Sequence, residues 1–211
     1  MITVHHLDYS RSTRVLWLLE ELGLDYDLVR YRRGPGGPAP DGLKRIHPLG
    51  KSPVIADGDL VLAESSAILR YLDRRYGGSL FTPADEARRA LHDEWIDYVE
   101  GSLALPVLVT LIGGSELPER IMSNMAAALE KDWRHIADAV TPGPYLMGDQ
   151  LTLADMQMSY LVAIANRAGM LDGHAPVANY LETLLGSPAL QRALARGGPM
   201  TPAAESSLGQ A

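Results

Sequence analysis

The stretch from Leu49 to Leu72, LGKSPVIADGDLVLAESSAILRYL, constrains the fold of this chain more than any other. Two short apolar runs, Pro53–Ala56 and Leu60–Leu62, flank Asp57-Gly58-Asp59. An Asp-Gly pair between apolar runs predicts a β-hairpin, because a tight turn needs the positive φ that Gly adopts freely. Glu64-Ser65-Ser66 follows at once, ahead of Ile68, Leu69 and Leu72 at helical spacing. Glu64 or Ser65 is therefore placed to cap a helix whose first backbone N–H groups have no partners of their own. Those N–H groups, with a Ser hydroxyl, suit a carboxylate, and the neighbouring Glu64 suits an ammonium. The corner matches the α-amino-acid end of a ligand, and a hairpin leading into an ordinarily capped helix satisfies the same pattern. Ser52-Pro53 opens the first strand, where the missing N–H of proline is tolerated at an edge. A cis bond there would turn the N–H and C=O of Val54 outward toward an extended peptide ligand.

The segments before this stretch read as strand, helix, strand. Ile2 to Leu7 alternates as a strand, and Val15, Leu16, Leu18, Leu19 and Leu22 then recur at helical spacing up to Gly23. Tyr26 to Tyr31 is the second strand, and a βαβ unit implies parallel pairing. Residues 32–42 turn to Arg, Gly and Pro and read as an exposed loop. Arg30, Arg32 and Arg33 read as a solvated face, with anion binding the other use of such a cluster. A short helix from Asp41 to Ile46 leads into the hairpin, and the helix after it stops at Gly77-Gly78.

Beyond a Pro-containing connector near residues 80–84, everything reads as helix. A long amphipathic helix from Asp85 to about Ile112 carries a kink at Pro106, and Gly113-Gly114-Ser115 breaks it. A second long helix covers Pro118 to Ala139. Leu151-Thr152-Leu153-Ala154-Asp155-Met156 is a helix start, with Thr152 as N-cap, Asp155 reaching back, and Leu151 and Met156 placed as a staple. Shorter helices follow at Ala175–Leu185 and Ser187–Ala195. The expected organisation is a βαβ…ββα domain over 1–78, an all-helical domain over 85–200, and a loose tail over 201–211.

Composition removes several classes of chemistry. The 211 residues hold no cysteine, which excludes a thiolate nucleophile of the protein's own, a disulfide framework and a Cys-ligated zinc site. Any thiol chemistry must use a thiol that a substrate brings. The six histidines show no metal-binding spacing, and His5 and His6 point to opposite faces of one strand. A formal net charge of −7 argues against a nucleic-acid surface. No unbroken apolar run reaches the roughly 18 residues of a membrane helix, and the polar start is unlike a secretory signal. The chain reads as cytoplasmic.

Four segments together resemble the cytosolic glutathione S-transferases, end to end: YSRSTRVLWLLEELGL at 9–24, HPLGKSPVI at 47–55, ESSAILRYL at 64–72 and GDQLTLADM at 148–156. The Ser-Arg-Ser-x-Arg opening is similar to bacterial and fungal members. The resemblance implies an α/β plus all-α architecture, a thioredoxin-like βαβαββα domain followed by a C-terminal helical bundle. It implies that Pro53 is the family's cis-proline and that the backbone of Val54, next to Ser52, pairs with the cysteinyl part of glutathione. Glu64 and Ser65 would hold the γ-glutamyl end, and Lys51 would meet the glycyl carboxylate.

A free thiol, with a pKa of about 8.5, is mostly protonated near neutrality, so an enzyme of this kind must favour the thiolate. A hydroxyl donor at a helix N-terminus does so. Aligned on Arg14, Ser10 falls where serine-type members carry that donor, with Ser12 at the expected N-cap and Tyr9 as alternates. The implied function is a glutathione S-transferase acting on an apolar electrophile or a hydroperoxide. The alternatives are a glutathione-binding protein without turnover and a glutathione-dependent isomerase or dehalogenase. Glutathione is the implied cosubstrate, with no metal, no nucleic acid and no membrane, and the implied assembly is a homodimer. A second-substrate pocket is expected between the domains. Trp95, Tyr98, Ser102, Leu105 and Val109 fall on one helix face that suits a pocket, an interface or core.

Overall fold

A computed structural model describes residues 1–33, 39–113 and 117–202. The chain divides into two compact units, one of Met1–Leu80 joined by the segment from Gly186 onward, the other Phe81–Leu185.

The first unit is built on a four-stranded sheet in the order β2-β1-β3-β4, from β1 (Ile2–Leu7), β2 (Tyr26–Tyr31), β3 (Val54–Asp57) and β4 (Leu60–Ala63). β1 pairs parallel with β2 and antiparallel with β3, so it is central, and five of its six residues are buried. This explains its weak alternation: a strand covered on both faces needs apolar or satisfied side chains on both. β4 is the edge and keeps Leu60 and Val61 exposed. The hairpin turn is Gly58-Asp59, because Asp57 already pairs with Leu60, and Gly58 takes φ 59°. The expected short helix before it is a 3₁₀ turn over Asp41–Arg45.

Helices α1 (Thr13–Glu21) and α2 (Ser65–Tyr76) complete the βαβ and ββα units. Val4, Val15, Leu16, Leu18, Leu19, Val54, Ile55, Ile68, Leu69 and Leu72 are fully buried and form the core. One further helix, α8 (Pro188–Gly197), packs on α1. By compactness this last helix groups with the first unit, although it follows the helical segment in the chain. The physical reason is a set of contacts from α1 and the strand after it. Ser187 Oγ donates to Glu21 at 3.0 Å and accepts from Trp17 Nε1 at 3.2 Å, while Arg192 and Arg196 both reach Glu20. The expected tail lies, from residue 203, outside the described residues.

The second unit holds α3 (Glu86–Tyr98), α4 (Ala104–Gly113), α5 (Glu119–Val140), α6 (Leu153–Arg167) and α7 (Ala175–Leu185). α3 and α4 run on through a π-helical turn, Val99–Leu103. The irregularity thus begins ahead of Pro106, whose ring cannot sit against the carbonyl four residues back in a regular helix. Of the expected Gly113-Gly114-Ser115 break, residues 114 and 115 lie outside the described residues. The run Glu86–Gly113 contains a window of mean hydropathy 1.5, long and apolar enough by composition to cross a bilayer, with 39% of that window buried. Asp97 and Glu100 interrupt its apolar character, which is why no unbroken run is visible in the sequence.

The capping box at α6 forms as read. Asp155 is fully buried and accepts from Thr152 N and Thr152 Oγ1, each at 2.9 Å, from Leu146 N at 2.8 Å and from Tyr180 Oη at 3.0 Å. One carboxylate therefore joins the preceding turn, the start of α6 and α7.

Candidate functional site

Two strand-to-helix turns of the first unit carry the residues singled out in the sequence. Each contains a non-glycine residue with positive φ, Tyr9 at 53° after β1 and Glu64 at 71° after β4. Such conformations cost free energy and persist where the surrounding structure over-determines them, which favours functional sites.

At the first turn, Tyr9 is held from behind. Arg33 Nε donates to Asp8 O at 3.0 Å and Arg33 Nη2 to Tyr9 O at 3.2 Å, while Arg30 Nε pairs with Asp8 Oδ1 at 2.6 Å. Arg30 and Arg32 are exposed, as the reading of a solvated face expected, but Arg30 and the half-buried Arg33 also anchor the turn. Ser10 and Ser12 are both buried. Ser12 occupies the N-cap position of α1, yet its hydroxyl makes no capping bond. It lies 2.7 Å from His6 Nδ1 and 2.7 Å from Ser10 Oγ. Ser10 Oγ lies 2.7 Å from Leu7 O. His6 Nε2 in turn reaches Gly197 O at 2.9 Å, so the last residue of α8 closes the chain of contacts. Burial lowers the pKa of His6, opposed by the bond to Gly197 and the charge of Asp8 and reinforced by Arg30.

The Ser52-Pro53 bond is cis. Ser52 Oγ accepts from Leu7 N at 3.1 Å and donates to His5 O at 2.9 Å, so this hydroxyl stitches the segment to β1. Ser52 and Ser10 thus attach to the two backbone groups of Leu7. Pro53 and Val54 are buried, and Val54 opens β3 opposite Ala63. Lys51 is exposed on the approach to this bend.

At the second turn, Glu64 is the N-cap of α2 by position, with an exposed side chain that makes no cap bond. Ser65 is buried, and its Oγ accepts from Arg14 Nη1 at 2.9 Å. Arg14, fully buried on α1, thereby ties the two helix N-termini together; it does not solvate its helix. Two helix starts meeting one sheet create a region of positive potential with free N–H groups, which favours anions. Sequence reasoning missed His6 and Arg14 as parts of this assembly. The signals were a second histidine on a strand with one apolar face and an arginine inside the apolar stripe of α1.

In the second unit, Trp95, Tyr98, Ser102 and His135 line an open cleft of about 350 Å³ together with Glu94 and Asp97. His135 stacks on Trp95 with centroids 4.5 Å apart, and Tyr98 Oη donates to Asp132 at 2.7 Å. The helix face read as pocket, interface or core is therefore a cleft wall at its N-terminal end; the core side of this run is Ile96, Val99, Leu103 and Val107.

The family of the glutathione S-transferase N-terminal domain matches residues 1–74. Glutathione S-transferase 3 of Schizosaccharomyces pombe is 34% identical over 184 residues, covering 79% of this chain and 75% of that protein. The chain belongs to the glutathione S-transferase family. Glutathione S-transferase 1 of Saccharomyces cerevisiae is 40% identical over 119 residues, about half of each protein. A solved glutathione S-transferase from Actinobacillus pleuropneumoniae is 34% identical and covers 93% of each chain with a TM-score of 0.86. A glutathione transferase homologue from Sulfitobacter, solved with bound glutathione, shares the fold with a TM-score of 0.77 at 18% identity. The thioredoxin-like sheet unit and the helical unit are those of this family, and its function is that of a glutathione S-transferase.

Proposed function

We propose that the first unit binds glutathione across its two strand-to-helix turns and activates the thiol with the hydroxyl of Ser10. The observation that carries this reading is the Arg14–Ser65 bond, which holds the starts of α1 and α2 against one another. Glu64 and Ser65 receive the α-amino and α-carboxylate groups of the γ-glutamyl end. Val54 pairs its backbone with the cysteinyl residue, supported by Ser52 and Pro53, and Lys51 meets the glycyl carboxylate. The bound sulfur then lies over the start of α1. A hydroxyl donor and the helix N-terminus stabilise the thiolate over the thiol, and the thiolate attacks an apolar electrophile or a hydroperoxide. Ser12 and Tyr9 are the alternate donors. Exposed Leu91, Leu105 and Ile112 on the long helical run support a homodimer, and the reading places the enzyme in the cytoplasm.

The test is the ultraviolet difference spectrum of the protein saturated with glutathione, titrated with pH. A thiolate band well below the free thiol's pKa, lost in Ser10→Ala, is the expected result. Binding without a band would replace catalysis with simple glutathione binding. A band unchanged in Ser10→Ala would move the role to Ser12 or Tyr9.

A further inference from the structure

The contacts around Ser10 contain one hydrogen too few. Four short contacts run in series: Gly197 O to His6 Nε2 at 2.9 Å, His6 Nδ1 to Ser12 Oγ, Ser12 Oγ to Ser10 Oγ, and Ser10 Oγ to Leu7 O, the last three at 2.7 Å. Each needs a hydrogen between its atoms. Both terminal groups are carbonyls, which only accept, so His6 Nε2 must carry a hydrogen. A neutral imidazole and two hydroxyls then supply three hydrogens for four contacts. An imidazolium supplies the fourth.

The chain consequently has two orientations. With neutral His6, Ser12 donates to Nδ1, and Ser10 must choose between Ser12 Oγ and Leu7 O; both point its hydrogen into the protein. With charged His6, Nδ1–H donates to Ser12, Ser12 donates to Ser10, and Ser10 has no inward partner but Leu7 O. Its own oxygen is then polarised by an accepted bond, which strengthens it as a donor.

We propose that His6 is a positioning residue for the thiolate donor, its charge passed through Ser12 to set whether Ser10 Oγ accepts a hydrogen bond from Ser12 or competes to donate one to it. This rests on the reading of Ser10 given above. The thiol proton leaves along the same chain: it passes to Ser10 Oγ, the hydrogen of Ser10 to Ser12, and that of Ser12 to His6 Nδ1. A thiol and an imidazole become a thiolate and an imidazolium, with no proton gained or lost.

The surroundings of His6 suit a group balanced between its two states. Asp8, in the turn after β1, favours the charged form; Arg30, on β2, opposes it, and the two are paired with one another. From α8 comes the carbonyl of Gly197, one of the partnerless carbonyls at a helix C-terminus, where the dipole favours a cation. From the N-cap of α1 comes the neutral hydroxyl of Ser12. Gly197 is also built for this approach: a Cβ there would lie 3.1 Å from His6 Cε1, 3.2 Å from Nε2 and 2.5 Å from Leu16 Cδ1.

Nitrogen-15 NMR of the His side chains reads the charge of His6 directly, assigned by His6→Asn. By linkage, if charged His6 favours the thiolate, bound thiolate must favour charged His6 by the same factor. Saturating glutathione is expected to raise the proton affinity of His6 about tenfold or more. S-methylglutathione, whose sulfur carries no proton, should leave it unchanged, and Ser12→Ala should abolish the response. In His6→Asn the thiol should be about tenfold less acidic in the thiolate spectrum. An equal response to S-methylglutathione, a response surviving Ser12→Ala, or an unaltered thiol acidity in His6→Asn would each overturn the relay. A thiolate band that needs Ser10, with His6 unresponsive, overturns the relay and leaves the proposed function standing. No band, or a band independent of Ser10, overturns both.

Discussion

Arg14 Nη1 donates to Ser65 Oγ across 2.9 Å, a fully buried guanidinium on α1 holding the first residue of α2. Ser65→Ala removes one acceptor from a buried cation. A hydrogen bond to a charged group contributes about 1.5–3 kcal/mol, so Ser65→Ala should lose about 2 kcal/mol in denaturant unfolding. Its glutathione Kd should weaken about tenfold, a matter of about 1.4 kcal/mol by calorimetry. Lost stability with unchanged affinity would make Ser65 an architectural residue only.

Asp155 should behave in the opposite way. Its carboxylate accepts four hydrogen bonds inside the second unit, and removing it strands four buried donors. Asp155→Ala is expected to cost about 4 kcal/mol or to prevent folding, while Thr152→Ala, which keeps the carboxylate, should cost about 1 kcal/mol. The folded fraction of Thr152→Ala should bind glutathione as the parent does. Weakened glutathione binding in that variant would overturn the separation of the two roles.

A pH effect follows from Asp57, at the end of β3. Tyr76 and Tyr71 donate to its carboxylate at 2.5 and 2.8 Å and hold its pKa below the usual range. A carboxyl depressed by folding contributes stability that is present above its unfolded pKa, about 3.9, and lost as pH falls through the folded value. Asp57 is largely solvated, so screening reduces this to about 0.5 kcal/mol. Asp57→Asn should therefore be slightly less stable than the parent at neutral pH in urea titrations. The gap should close in acid, below about pH 3.9; a gap that widens there would contradict the assignment.

Gly197→Ala tests how α8 joins the first unit. The added methyl would meet Leu16 Cδ1 at 2.5 Å, inside any real carbon–carbon contact. Overpacking of this kind costs about 1–3 kcal/mol. A lowered urea midpoint with an unchanged m-value is expected; an unchanged midpoint would mean that α8 shifts freely on α1.

Much of the fold was legible because it rests on local rules. β1 and β2 were read at their observed limits, since strand alternation and a Gly stop fall within a few residues of each other. The capping box at Thr152–Asp155 was legible because both partners lie within one helical turn. The hairpin was legible as a turn within Asp57-Gly58-Asp59, and only the pairing of Asp57 with Leu60 selects Gly58-Asp59 as its two central residues. The π-helical turn is not legible in the sequence, since Pro106 marks a kink but not how far ahead of it the helix adjusts.

The candidate site divides along the same line. The sequence alone determined which residues stand at the two strand-to-helix turns, because Ser10, Ser12, Glu64 and Ser65 sit beside their own helix starts and need no distant partner to be placed there. Only the tertiary structure decided what those residues touch. Arg14 meets Ser65 across 51 positions of chain and His6 meets Gly197 across 191. Contacts at such separations carry no periodicity or spacing in the sequence; they arise when a buried polar group, unable to reach water, must find whatever partner the packed core brings within 3 Å.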